Sequence, residues 1–124
     1  MLDTLRDWLG DGGKPVERML AEKRLSICLH GNDGKACKLN VEPRWWEREF
    51  VNPVAEAIRS ELELKNSMNL HLPNEENAGM CKICGCCLLL KPWTPIDHIK
   101  KNTDEITLSK APDFCWMRTE SKNL

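Results

Sequence analysis

The sequence predicts a single, mainly helical domain closed by a cysteine-rich metal knuckle, with little or no regular sheet. Three observations predict it. Apolar residues recur at helical spacing in several segments, and turn-forming clusters separate them. The chain has 124 residues, which suits one domain but buries a modest share of its surface, so a staple would help it. Seven cysteines stand in it, and two of them share the C-x-x-C-G spacing of a metal knuckle.

The elements follow in order. Leu2, Leu5 and Leu9, with Trp8, mark one face of a short first helix, and Gly10, Gly12 and Gly13 end it. Pro15 suits the first position of a second helix. Val16, Met19, Leu20 and Ile27 would form its inner face, with Glu17, Arg18, Glu22 and Lys23 outside. Residues 30–35 are dense in turn formers and predict a loop that returns the chain to Cys37. A long helix is expected within residues 45–71, strongest from Pro53 onward. Val54, Ile58 and Leu62 would face inward there, and Glu56, Arg59, Glu63 and Asn66 outward. Residues 79–118 form the knuckle module. In it Leu88, Leu89, Leu90 and Trp93 read as a buried strand, and Thr94-Pro95 as the cap and first turn of a helix ending at Lys101. The segment from Pro112 to Trp116 closes the fold, and a loose polar tail is expected from Thr119.

Composition narrows the function. Eighteen basic residues face nineteen acidic ones, so no global field draws the chain to nucleic acid or an anionic membrane. A local basic face remains open at Lys91, Lys100, Lys101 and Lys110. The longest apolar run, Cys86 to Leu90, is far too short to span a bilayer. The first residues carry acids and no continuous apolar stretch, unlike a signal peptide, which predicts a cytoplasmic or virion location. In such a reducing compartment clustered cysteines read as metal sites, and seven cannot all pair within one chain.

The knuckle is Cys81-Lys82-Ile83-Cys84-Gly85-Cys86. Two thiolates at this spacing chelate one ion through a tight turn. Gly85 can take a left-handed conformation there at no steric cost, and the turn aims backbone N–H groups at the sulfurs. A closed tetrahedral site needs two more ligands. Cys37 and Cys115 are favoured, with Cys28 close behind, Cys86 possible and His30 an outside choice. One zinc ion is the leading expectation. Two metals, an iron–sulfur centre, or buried thiols without metal are the alternatives; no C-x-x-C-x-x-C run supports iron–sulfur. Redox use of Cys81 and Cys84 would need a preceding strand and a following helix, and the context here is poor.

The run Arg24-Leu25-Ser26-Ile27-Cys28, then Cys37, then Cys81 to Leu88 with Lys91, then Cys115-Trp116, resembles small cysteine-rich proteins encoded by bacteriophages and prophages. The resemblance implies phage origin and metal binding, and no reaction. The sequence departs from the group's pattern in three places. Gly31 stands where a C-x-x-C partner of Cys28 would be, a long helix separates the two cysteine clusters, and Trp116 follows Cys115 where Pro is usual.

No Ser/His/Asp set, phosphate-binding glycine loop or H-E-x-x-H motif is present, so an enzyme is not expected. His98 reads as a surface histidine that Asp97, pointing to another face, cannot orient, and His71 as structural. Trp45-Trp46 resists burial as a pair, because two adjacent indoles cannot easily face one core. Core packing is the first reading, with one ring exposed; partner binding through Trp45 and Trp46 is the second, and base stacking with Arg44 and Arg48 the third. The sequence predicts a zinc-stapled structural or adaptor protein that contacts other chains of a larger assembly, such as a phage virion or assembly intermediate. A nucleic-acid-binding zinc module is the alternative, and a redox or metal-dependent enzyme the last.

Overall fold

The computed structural model describes residues 2–37, 40–42, 44–75, 79–81 and 86–122, with backbone only for Leu2, Glu47, Cys81, Cys86 and Cys87. The fold is mainly helical. Helix α1 (Leu2–Gly10) buries Trp8, whose indole N–H donates to Lys14 O at 2.9 Å. Gly12 and Gly13 then turn the chain with φ of 105° and 64°, conformations that glycine takes without strain. Leu9, expected inside, lies at the surface.

Helix α2 (Arg18–His30) starts three residues after Pro15, and its inner face differs from the one expected. Ala21, Arg24, Leu25 and Leu29 are buried, while Met19 is exposed. The reason is that α2 serves two clusters. Ala21, Leu25 and Leu29 join one; Ile27 and Cys28 pack on the other. A helix packed on two sides carries no single apolar stripe.

Helical turns begin at Trp45, pass through a wide π turn (Glu47–Val51) and continue as α3 (Asn52–Asn66). The helix stops short of residue 71 because Ser67 adopts the left-handed conformation and its N–H donates to Glu63 O. Leu62 is buried and Ile58 half-buried, as expected, but Val54 is exposed and Arg59 buried. Arg59 tolerates burial because it donates to Glu75 Oε2 at 2.9 Å and to His71 Nε2 at 3.0 Å.

Three two-residue strands make a small antiparallel sheet in the order β1 (Asn40–Val41), β2 (Met80–Cys81), β3 (Cys86–Cys87). Asn40 pairs with Cys81, and Cys81 with Cys86. Gly79 precedes β2 so closely against β1 that a side chain there would collide with Val41 O.

Leu88 and residues 90–93 are buried, with Leu89 half-buried, but they form turns ending in a 3₁₀ turn (Lys91–Trp93), where a strand was expected. Thr94 does not cap α4 (Ile96–Lys101); its hydroxyl donates to Leu90 O at 3.2 Å. Asp104 caps α5 (Glu105–Ser109), accepting from Thr107 N at 2.7 Å. Helix α6 (Trp116–Lys122) continues past Thr119, where a loose tail was expected, and buries Ser121.

One core cluster joins Trp8, Ala21, Leu25, Leu62, Leu70, Leu90 and Trp93. The other joins Leu88, Ile99, Leu108, Cys115, Trp116 and Met117. Segment 88–93 and α2 feed both.

Candidate metal centre and apolar ridge

The backbone gathers cysteines that lie far apart in sequence. The loop after α2 closes with an Asn32–Lys35 bridge, and Cys37 N then donates to Cys28 O at 2.8 Å. Asn40 N donates back to Cys37 O at 2.9 Å, and Asn40 itself pairs with Cys81. Cys37 therefore sits three residues before β1, the strand that pairs with β2, and its side chain is buried. Cys28 is tied to the C-terminal helix, because the Trp116 indole N–H donates to its Sγ at 3.4 Å. Cys115, next to Trp116, is buried in the second cluster.

Among the described residues, no three Cys, His, Asp or Glu side chains converge as a cation cage. The expected pair Cys81 and Cys84, and the possible ligand Cys86, lie outside the described residues as side chains. The described cysteines carry sulfur donors of the kind zinc takes: Cys37 and Cys115 are buried, and the Cys28 sulfur accepts an indole N–H. His30, the outside choice, is exposed at the end of α2.

Arg24 locks this neighbourhood. It is 1 % exposed, and its guanidinium grips both Glu120 oxygens, at 2.6 and 3.0 Å. It also donates to Pro92 O and Thr94 O, at 3.0 and 2.6 Å. Its face lies 4.4 Å from the Trp116 ring centre, with Lys91 Nζ at 5.5 Å. The Arg-Leu-x-x-Cys run thus has a mechanical meaning: Arg24 holds α6, Leu25 enters the first core, and Cys28 accepts from the helix that Arg24 holds. Lys91 is buried and so does not belong to the basic face expected at Lys100, Lys101 and Lys110, which are exposed.

The tryptophan pair is at the surface. Trp45 is 68 % exposed and Trp46 41 %. Phe50 and Val54 follow Trp46 at four-residue intervals, and both are more than half exposed. That spacing keeps side chains on one side through successive helical turns. The sequence reading missed Phe50 and placed Val54 inside; the four-residue interval from Trp46 was the available signal. Leu64, Met19 and Ile106 are also exposed but stand elsewhere in the sequence, on other elements or turns.

His98 is not a surface residue. It is buried on α4, with Nδ1 2.7 Å from Asp7 Oδ2 and Nε2 3.4 Å from Asp11 Oδ2. Lys101 Nζ reaches the other Asp7 oxygen at 3.0 Å. The His98 contact, helped by Lys101, holds the Asp7 carboxyl below its ordinary value. Asp97 is exposed and takes no part. His71 is structural: its ring accepts from Arg59 and its backbone carbonyl accepts from Arg18 at 2.8 Å.

Among the described residues no helix is long and apolar enough to cross a membrane. Comparison with family models, curated proteins and solved structures finds no match.

Proposed function

We propose that this chain is a small zinc-stapled adaptor that docks onto other protein chains of a larger assembly. The exposed series Trp46, Phe50 and Val54, with exposed Trp45 beside it, carries the proposal. Exposed aromatics grouped on one element are costly in water and are the residues that anchor protein interfaces. The staple completes the reading. One zinc ion held by Cys81 and Cys84, with Cys37 and Cys115 or Cys28, would fix the knuckle beside β1. Strand β1 ends four residues before Trp45, so a rigid β1 also fixes the base of the ridge. The resemblance to phage-encoded cysteine-rich proteins supports a virion or its assembly pathway as the setting. The reading assigns no catalytic step.

The test has two arms. Native mass spectrometry of the purified chain should find one zinc per molecule, lost in the Cys84→Ser variant together with cooperative folding. Sedimentation of the chain in extracts of its producing cells should find it in a large complex. The Trp45→Ser/Phe50→Ser variant should leave that complex while its circular dichroism is unchanged. A metal-free folded chain would overturn the staple; a double variant that stays in the complex would overturn the docking role.

A further inference from the structure

A second surface points to a small ligand, independently of the cysteines. Helices α4, α5 and α6 border a cleft of about 370 Å³, inside the roughly 300–1,000 Å³ common for small-molecule sites. Lys100, Arg118 and Lys122 line it against a single carboxylate, Glu105. Two of these cations are held by neutral backbone groups. Lys100 Nζ donates to Ser121 O at 3.0 Å, and Arg118 Nη1 donates to Ala111 O at 2.9 Å. A carbonyl fixes the position of a cation without cancelling its charge. Arg118 also meets Asp113 at 3.0 Å, but that carboxylate is 98 % exposed and outside the cleft lining. Ion pairs so exposed are weak. Lys122 has no hydrogen bond or ion pair among the described residues. Ser121 is buried at the wall, and its hydroxyl has no partner there.

We propose that this cleft binds the phosphate of a small phosphomonoester. Three cations against one carboxylate leave an excess of two positive charges, which matches a phosphomonoester dianion better than a single carboxylate. Anchored Lys and Arg donors suit the several oxygens of such a group.

The experiment titrates the full chain with inorganic phosphate, phenyl phosphate and a single-stranded oligonucleotide, following backbone amide resonances. Phosphate and phenyl phosphate should shift amides of residues 105–109 and 118–122 in a saturable way. Lys122→Gln should weaken phenyl phosphate about tenfold, as loss of one charge-assisted contact does. Glu105→Gln should tighten it, by about threefold or more, because the opposing charge is gone. Lys110→Gln, outside the cleft, should change nothing. The proposal fails if no saturable shift occurs, or if Lys110→Gln weakens binding as much as Lys122→Gln. It fails also if the oligonucleotide takes the same amides more tightly than phenyl phosphate.

Discussion

The indole N–H of Trp116 donates to the sulfur of Cys28 across 88 positions of sequence, at 3.4 Å. Sulfur is a weak acceptor as a thiol and a better one as a thiolate, so this donor suits a metal-bound Cys28. Trp116→Phe keeps an aromatic face for Arg24, removes the donor and costs some buried volume, so metal release is read against a Cys28→Ser control. If Cys28 is a ligand, that variant should release zinc to a chelator about tenfold more readily, since outer partners of this kind tune affinity by about 10–100-fold. Unchanged release would assign the fourth position to Cys115.

Arg24 is a buried cation with a partly buried partner, and removing either side has unequal results. Arg24→Met leaves Glu120 at 23 % exposure, able to turn toward water. Glu120→Gln leaves a cation that is 1 % exposed with neutral oxygens and the Trp116 ring to meet it, and no countercharge. Breaking a buried pair costs about 3–5 kcal/mol. Urea denaturation should place Glu120→Gln at least as high in that range as Arg24→Met.

The tryptophans of the first core should separate cleanly. Trp8 donates to Lys14 O, whereas Trp93, fully buried, offers its N–H to no acceptor among the described residues. Trp8→Phe loses a hydrogen bond and orphans nothing but a turn carbonyl, at about 1 kcal/mol beyond the volume change. Trp93→Phe removes an unsatisfied donor, so its volume loss is offset, and thermal melts should find it the milder substitution.

Acid should loosen α1 from α4. Asp7 binds its proton less readily in the folded chain than in the unfolded one, first because of His98 and then Lys101. Its contribution is therefore present above the ordinary carboxylate value of 3.8 and is lost as pH falls below it. Asp104, held down by the Thr107 N–H at the start of α5, changes in the same direction. Melting temperatures followed downward from about pH 6 to 3 should fall less steeply in Asp7→Asn than in the parent chain. An identical slope would show that the α1–α4 contact does not sense acid.

The exposed ridge should be free of structural duty. Trp45→Ser and Phe50→Ser should each alter stability by no more than about 0.5 kcal/mol, as surface changes do. A larger loss would mean that the ridge is part of the core.

The helical class and most element positions were legible because apolar spacing and Gly/Pro punctuation are local signals. α1 and α4 ended where glycine and turn residues said, and Leu62 faced inward as its spacing required. The faces of α2 and the orientation of Arg59 were not legible. A charged residue reads as outward unless its counter-ion is known, and Glu120 and Glu75 lie on other elements. His98 failed for the same reason, since its partner Asp7 is 91 positions away. Of the site, adjacency argued only that one indole would be exposed; exposure of both emerged with the fold. Convergence of Cys28 and Cys37 near β1 needed the strand register, which a two-residue strand does not announce.

The grip of Arg24 on Glu120 spans 96 positions. During synthesis α2 emerges early, with its guanidinium destined for the interior and no counter-ion yet made. Until α6 is made, docking α2 on the segment before α4 leaves that charge with backbone carbonyls but without its carboxylate. A chain cut before residue 120 would leave the buried Arg24 guanidinium without its carboxylate, and a charge stranded in the interior favours opening and proteolysis.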